Sequence, residues 1–557
     1  MTDQKKPLET LKTGAQSQAA NVNSLQLSAQ RVTVYALLMS VGTLSSRVLG
    51  LVRDTLFFAY FDRTVTDAWT VAFRIPNLFR RLLGEGSLSV SFIPVFVSLR
   101  AERGDQNQEV KNLVNGFYTL LLLILSVLTV LGIIFGAEIV GLIVDQNFSQ
   151  VPGKFELTVR LAQIMFIFIF FMSTYAYFMG ILNACGKYAL AAAAPALFNI
   201  SMIFSMFVPE GWFSVKGDSL AWGVVFGGLL QTVILVPTLR RMGYFPTLSL
   251  KMFSAPIKMV WRNMLPGFFG LGLLQITTLI NTRFASSLGE GTNSYIYLAD
   301  RLLELPLSLV SVSLGTALLP ILSSQWALGK VEEMHETTEH YLGINLFLSL
   351  LAASGLYFMP IPILEVLFGY GKFSAADAGI TAEVLKIYSL IMISSSAVRV
   401  FVPSFYAIKN TWYPAIVSAV CLVFHVVMAP ILISRYQLQG LIYSTFLSGL
   451  LNFTLLFSGY KYFIGDISFI KFTVKLLKFL LIAVPSILFF SSYEWAQMQI
   501  LGSGTSLLHV KKAVLVITYL GVGSLVYFTI AYFLGIKECK QTLDQLGNKL
   551  KTKLKKL

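Results

Sequence analysis

Residues 112–144 read NLVNGFYTLLLLILSVLTVLGIIFGAEIVGLIV, a long run whose one charged side chain is Glu138. A helix rises 1.5 Å per residue, so about 20 such residues cross roughly 30 Å of hydrocarbon. Runs of the same kind, divided by short polar breaks, fall at 32–60, 67–99, 112–144, 157–185, 188–208, 218–239, 256–287, 293–325, 339–368, 379–408, 413–434, 437–460, 470–492 and 513–536. They predict an all-α polytopic membrane protein with 14 transmembrane helices. Composition agrees: 55% of the 557 residues are hydrophobic and 13% charged, about half the charge of a soluble domain. The net charge of +15 suggests nucleic acid only until its placement is read, because the charges lie mostly between the apolar runs. Cys185 and Cys421 sit in apolar runs and Cys539 in a basic tail, which makes neither a disulfide framework nor a zinc site.

The polar stretch 1–30 has no apolar segment followed by a small-residue cleavage site and reads as a disordered cytosolic tail. An even span count puts both termini on one side, and positive charge selects the cytosol. With that orientation the cytosolic segments hold 26 Lys and Arg and the opposite segments 7.

Shifting the chain by 226 positions aligns Phe92-Ile93-Pro94 with Leu318-Leu319-Pro320 and Ser87 with Ser313, and one further position brings Glu138 onto Glu365. Spans 1–6 (31–243) and 7–12 (250–464) therefore read as two six-helix lobes related by a parallel pseudo-two-fold repeat around a central cavity. Two extra helices at 468–536 and a basic cytosolic tail at 537–557 lie outside the repeat.

Charge within the spans is clustered. Span 1 carries Arg47, Arg53 and Asp54; span 2 carries Asp67, Arg74, Arg80, Arg81 and Glu85; span 8 carries Asp300, Arg301 and Glu304. Each such charge costs about 2.5–3.5 kcal/mol at a helix centre, so a hydrated cavity or internal pairing must hold them. Arg74 and Arg81 share a face seven residues apart; Arg81 with Glu85, and Asp300 with Glu304, stack four apart. Arg47 and Arg53 are about 120° apart around a straight helix, and Gly50 between them allows a bend. An arginine excess facing water implies an anionic substrate, and the guanidinium fork suits a phosphate or diphosphate. The same arginines also suit snorkelling to the surface or salt bridges between helices.

The ordered set Ser46-Arg47-Val48-Leu49-Gly50-Leu51-Val52-Arg53-Asp54, Asp67-Ala68, Pro76-Asn77-Leu78-Phe79-Arg80-Arg81, Glu85-Gly86, Ala299-Asp300-Arg301 and Leu314-Gly315-Thr316 resembles the MurJ (MviN) family of lipid II flippases, of the multidrug/oligosaccharidyl-lipid/polysaccharide exporter superfamily. The resemblance implies a bacterial inner-membrane protein that moves the undecaprenyl-diphosphate-linked peptidoglycan precursor, lipid II, from inner to outer leaflet by alternating access. It implies Arg47, Arg53 and Arg301 as diphosphate ligands, and Asp54, Asp67, Arg80 and Glu85 as members of gates or charge networks. Spans 13 and 14 would then form a groove for the polyprenyl tail, and the protein would act as a monomer without a cofactor. Some family members hold a sodium ion between spans 7 and 11 on carboxylate and Asn ligands. Residues 412–434 contain no Asp, Glu or Asn, and His425 is their ionisable imidazole, so that metal site is not expected here.

Other classes fit less well. His335 and His340 are five apart, about 140° around a helix, which is wrong for a His-Glu-x-x-His metal site, and cytosolic loop charge explains them better. No Walker lysine or phosphate-cradling glycine loop is present, so the chain reads as a transporter driven by gradients or membrane potential and not as an enzyme. A scaffold would not need arginines buried around a pore. A flippase for another polyprenyl-diphosphate glycan, or a multidrug exporter, is the alternative; an exporter of cations would favour carboxylates in its cavity. The lysines from Lys549 to Lys556, interleaved with leucines, suit anionic membrane lipid better than nucleic acid.

Overall fold

The computed structural model describes residues 45–82, 88–104, 107–465, 467–501 and 508–544. The expected tails at 1–30 and 549–556, the start of span 1 and Glu85 lie outside them. In chain order the helices are α1 (45–60), α2 (Arg63–Phe79), α3 (Leu88–Arg103), α4 (Gln108–Ile134), α5 (Gly136–Ile143), α6 (Lys154–Ala184), α7 (Tyr188–Met206), α8 (Asp218–Val233), α9 (Val236–Arg241), α10 (Ala255–Ser286), α11 (Thr292–Leu307), α12 (Ser313–Ala327), α13 (Val331–Phe358), α14 (Pro360–Phe368), α15 (Ala375–Ala407), α16 (Trp412–Phe463), α17 (Phe469–Ser491), α18 (Tyr493–Leu501) and α19 (Leu508–Phe533). Among the described residues the protein is all-helical, and eight helices are long and apolar enough to cross a membrane.

Where helices break, the backbone chemistry explains it. The run 339–368 divides after Phe358 because Pro360 has no N–H to continue the ladder. Segments 67–99 and 293–325 were expected as single spans. Instead α2 runs into a π-turn at 80–82, and α11 into one at Ser308–Val312, so neither segment is one α-helix. The seven-residue stripe of Arg74 and Arg81 presumed a continuous α-helix, and the π-turn interrupts it. α1 continues as unbroken helix through Gly50. His335 and His340 lie within α13, not in a loop.

The chain forms two compact units. Unit 1 comprises the described parts of Met1–Leu56, Ile75–Ile134 and Ala162–Phe268. Its core stacks Phe92 on Phe96 and Phe117, and the buried Tyr177 hydroxyl donates to the Val114 carbonyl at 2.8 Å. The segment after α9 lies across α4: Thr247 and Ser249 donate their backbone N–H groups to Asn115 and Thr119. A Cβ on Gly116 would meet the Lys251 carbonyl, so glycine permits this approach.

Unit 2 comprises Phe57–Arg74, Phe135–Leu161 and the described parts of Phe269–Leu557. Within it α16 is two antiparallel arms broken at Gln437, which has φ 48° and ψ −124°. Tyr413 bonds the Leu455 carbonyl, Ser448 the Cys421 carbonyl, and Ser444 faces His425, a ladder whose partners converge on the break. The last helices dock on α13: Phe347 stacks on Tyr527 at 4.6 Å, and the Tyr527 hydroxyl donates to the Phe347 carbonyl. Lys475 pairs with Glu538, and Lys512 with Glu365.

Candidate functional site

The sequence-predicted residues fall in both units, and each unit builds its own polar centre. In unit 1, α1 carries Arg53 and Asp54, buried at 4% and 1% exposure. Arg53 donates through Nε and Nη2 to Asp54 Oδ1 at 2.9 and 2.6 Å, and through Nη1 to Asn199 Oδ1 at 3.1 Å. Asn199 on α7 turns its amide N–H to the Ser46 carbonyl, and Phe198 lies under the guanidinium at 5.8 Å. Neutralising a buried arginine by its own neighbour leaves the charge satisfied without an external ligand. Arg47, one and a half turns earlier, is half-buried. Arg80 donates from Nε to Asn77 Oδ1 at 2.8 Å, and Arg81 follows it in the π-turn.

In unit 2 the N-termini of α2 and α11 meet. Asp67 is fully buried and accepts from Lys154 Nζ at 2.6 Å, from the Gly291 and Ser294 backbone N–H groups at 3.3 and 3.1 Å, and from the Ser294 hydroxyl at 3.5 Å. Lys154 is equally buried, its ammonium over the Phe148 ring at 4.1 Å. A carboxylate at the first turn of α11 satisfies N–H groups that lack intrahelical partners and opposes the positive helix end. Beside this latch Asp377 caps α15 through Ser374, accepts the Tyr295 hydroxyl at 2.6 Å, and pairs with Arg63 Nε at 2.8 Å. The Asp377 hydrogen bond also raises the Arg63 guanidinium pKa above its ordinary value. Thr64 donates to Glu290 at 2.5 Å.

Sequence reasoning singled out Asp67 but treated Lys154 as an outer-loop charge and passed over Asp377, Tyr295 and Asn199. No local pattern distinguishes a lysine after Gly153 that enters a core from one that faces water; its partner is 87 residues away.

Further along α11, Arg301 is about one-third exposed and lies 3.6 Å from Glu304. Asp300 points into a cavity of about 170 Å³ shared with Arg74, Asn281, Asn293 and Tyr388. Arg74 and Asp300 thus line one cavity. Asn281 also reaches His425 Nε2 at 2.6 Å, and Ser444 Oγ lies 3.1 Å from its Nδ1. The side chains bonded to this ring are the Asn281 amide and the Ser444 hydroxyl. Among the described residues no group of three or more His, Cys, Asp or Glu is placed to hold a metal ion.

Apolar helices enclosing paired and half-exposed charge define a multi-pass membrane protein of transporter architecture. A solved multidrug transporter of the MATE family in its inward-facing conformation, assigned to the MOP superfamily, shares the fold at TM-score 0.62 and 15% identity, over 74% of this chain and 93% of that one. The family model described as lipid II flippase MurJ matches residues 57–508, and the chain belongs to that family. A probable lipid II flippase MurJ of Bdellovibrio bacteriovorus is 47% identical over 518 residues, 93% of this chain and 97% of the relative. A structure of lipid II flippase MurJ in an inward closed conformation superposes with TM-score 0.71 at 23% identity, covering 88% of this chain and 99% of that one.

Proposed function

We propose that this chain translocates the undecaprenyl-diphosphate-linked peptidoglycan precursor from the inner to the outer leaflet of the bacterial inner membrane, without chemical catalysis. The observation that carries the reading is similarity along nearly the whole length of a relative named as a probable lipid II flippase. The chemistry suits it: Arg47, Arg53 and Arg301 offer charge-assisted donors to a diphosphate. Arg53 would exchange Asp54 for phosphate oxygens, and Arg301 would leave Glu304. Anionic lipid would contact the basic tail, and the working unit would be a monomer.

The proposed architecture is 14 spans in two six-helix lobes, with both termini cytosolic. Support comes from prolines 226 residues apart at Pro94 and Pro320, from π-turns that follow both α2 and α11, and from the Thr64–Glu290 contact, whose partners are equivalent positions of the repeat. Contact between equivalent positions is what a two-fold axis running between α2 and α11 requires. Asp67, Lys154, Arg63 and Asp377 would then close the periplasmic gate. Arg74, Arg80, Arg81, Glu85, Asp300 and Glu304 belong to the charge network, and α17 and α19 supply the polyprenyl groove through outward leucines such as Leu481 and Leu525.

Depletion of the protein in its host tests the reading. Lipid-linked precursor should accumulate with its headgroup inaccessible from the periplasm; trapping of a different glycolipid would overturn the substrate assignment.

A further inference from the structure

We propose that His425 is a proton-binding site within the membrane-spanning part of unit 2, exchanging its proton with water in the cavity beside it. The ring is 1% exposed on the first arm of α16. Ser444 Oγ, on the second arm, lies 2.8 Å from the Leu441 carbonyl and 3.1 Å from Nδ1, so its single hydroxyl proton serves one or the other. On the other edge Nε2 lies 2.6 Å from Asn281 Oδ1 on α10, as short as a charge-assisted bond. With the Ser444 hydroxyl proton on Leu441, both ring nitrogens face acceptors and the imidazolium donates at both; with that proton turned to Nδ1, the neutral ring donates from Nε2 to Asn281. The neutral ring fits after one partner moves: Asn281 turns its amide N–H toward the ring, or Ser444 leaves Leu441. Gain or loss of one proton thus rewires the bonds that join α10 to both arms of α16.

A proton needs a route. Asn281 also lines the 170 Å³ cavity, which has room for about five waters at ~30 Å³ each. Asn293, 1% exposed, has neither amide atom hydrogen-bonded among the described residues, and Arg74 Nε is likewise without a partner. Buried polar atoms in that condition call for water. On uptake Asn281 swings off Nε2, and the freed lone pair forms N–H as a cavity hydronium loses O–H; release reverses the transfer. Charged and titratable groups bordering the site are Arg74 from α2, Asp300 from α11, Tyr388 from α15 and Cys421 one turn back on the same arm. α10 presents Asn281 and the Phe284 ring, and the second arm presents Ser444 and Thr445. Among the described residues no carboxylate bonds the ring, so the imidazole itself carries the exchange.

Coupling of this proton to transport rests on the proposed function, whereas its binding does not. The test is a titration of the full-length protein in nanodiscs with ¹⁵N-labelled histidine, the His425 signal being assigned by its loss in His425→Gln. The ring should change protonation between pH 5 and 9. Asn281→Asp should raise its midpoint by about one pH unit or more, since an adjacent carboxylate favours imidazolium. Exchanging choline for sodium should leave the midpoint in place. A ring fixed in one state across the range in both wild type and Asn281→Asp, or a midpoint displaced by sodium, would overturn the proposal. Should His425→Gln not insert, the difference between wild type and Asn281→Asp still decides. A titrating ring in a protein that leaves lipid headgroup accessibility unchanged would support the proton site and reject the transport reading.

Discussion

Replacing Asp67 with Asn perturbs the latch where the consequences are largest. The substitution preserves shape but removes the charge facing Lys154 Nζ at 2.6 Å, with both side chains essentially without solvent contact. At an effective dielectric of 20 the attraction is 332/(20 × 2.6), roughly 6 kcal/mol, offset by desolvation of several kcal/mol per ion. The useful number is the cost of stranding one charge, about 3–5 kcal/mol. An Asn in this place can still accept from Ser294, but its new N–H₂ faces the donors Lys154 and Gly291. If opening hydrates both partners, that penalty falls on the closed state alone and shifts the gate equilibrium roughly 10²- to 10⁴-fold toward open. Thr64→Cys with Glu290→Cys, in a background lacking Cys185, Cys421 and Cys539, reports closure by disulfide formation. Asp67→Asn should suppress cross-linking, and adding Lys154→Met should restore most of it, because the thioether suits the Phe148 ring and no charge remains buried. Unchanged cross-linking in Asp67→Asn, or a double variant worse than the single, would refute the latch.

Other outcomes follow from the same structure. Arg47→Ala and Arg301→Ala should insert normally, and these two and Arg53→Ala should each lose about 1.5–3 kcal/mol of headgroup binding, with Lys restoring only part, as read by complementation and substrate binding. Arg53→Ala also unpairs Asp54, so its abundance should fall and recover with Asp54→Asn; recovery of transport in that double would mark Arg53 as purely structural. A cysteine at exposed Gln150 should react with impermeant maleimide in intact cells, and protection there would reverse the proposed orientation. Gly440→Ala should lower thermal stability, since its Cβ would meet the Leu432 carbonyl between the two arms of α16; Gly141→Ala, with open space around it, serves as the neutral comparison.

Hydropathy marked the all-helical class, with eight helices among the described residues long and apolar enough to cross a membrane, because the bilayer demands long apolar runs whatever their tertiary contacts. The break Arg435-Tyr436 between the runs 413–434 and 437–460 was legible for the same reason, and α16 reverses beside it at Gln437. The π-turns were not, because they leave the apolar pattern intact and change only the hydrogen-bond register. Charges announced themselves, since an arginine in an apolar span is costly, but their partners did not. Asn199 and Asn281 resemble many neutral polar residues, and only folding sets them 3.1 Å from Arg53 and 2.6 Å from His425. Lys154 is the clearest case: its sequence context is that of a surface helix start, while its burial depends on Asp67 arriving from another part of the chain.

Reconstitution tests the central claim most directly. Purified protein in liposomes loaded with a fluorescent undecaprenyl-diphosphate disaccharide-pentapeptide, probed by an impermeant headgroup reagent, should expose the inner-leaflet pool, and Arg301→Ala should slow exposure at least about tenfold, a loss of about 1.4 kcal/mol in the transition state. A pool that stays protected with the wild-type protein, or one exposed equally fast by Arg301→Ala, would contradict translocation through arginine-held diphosphate.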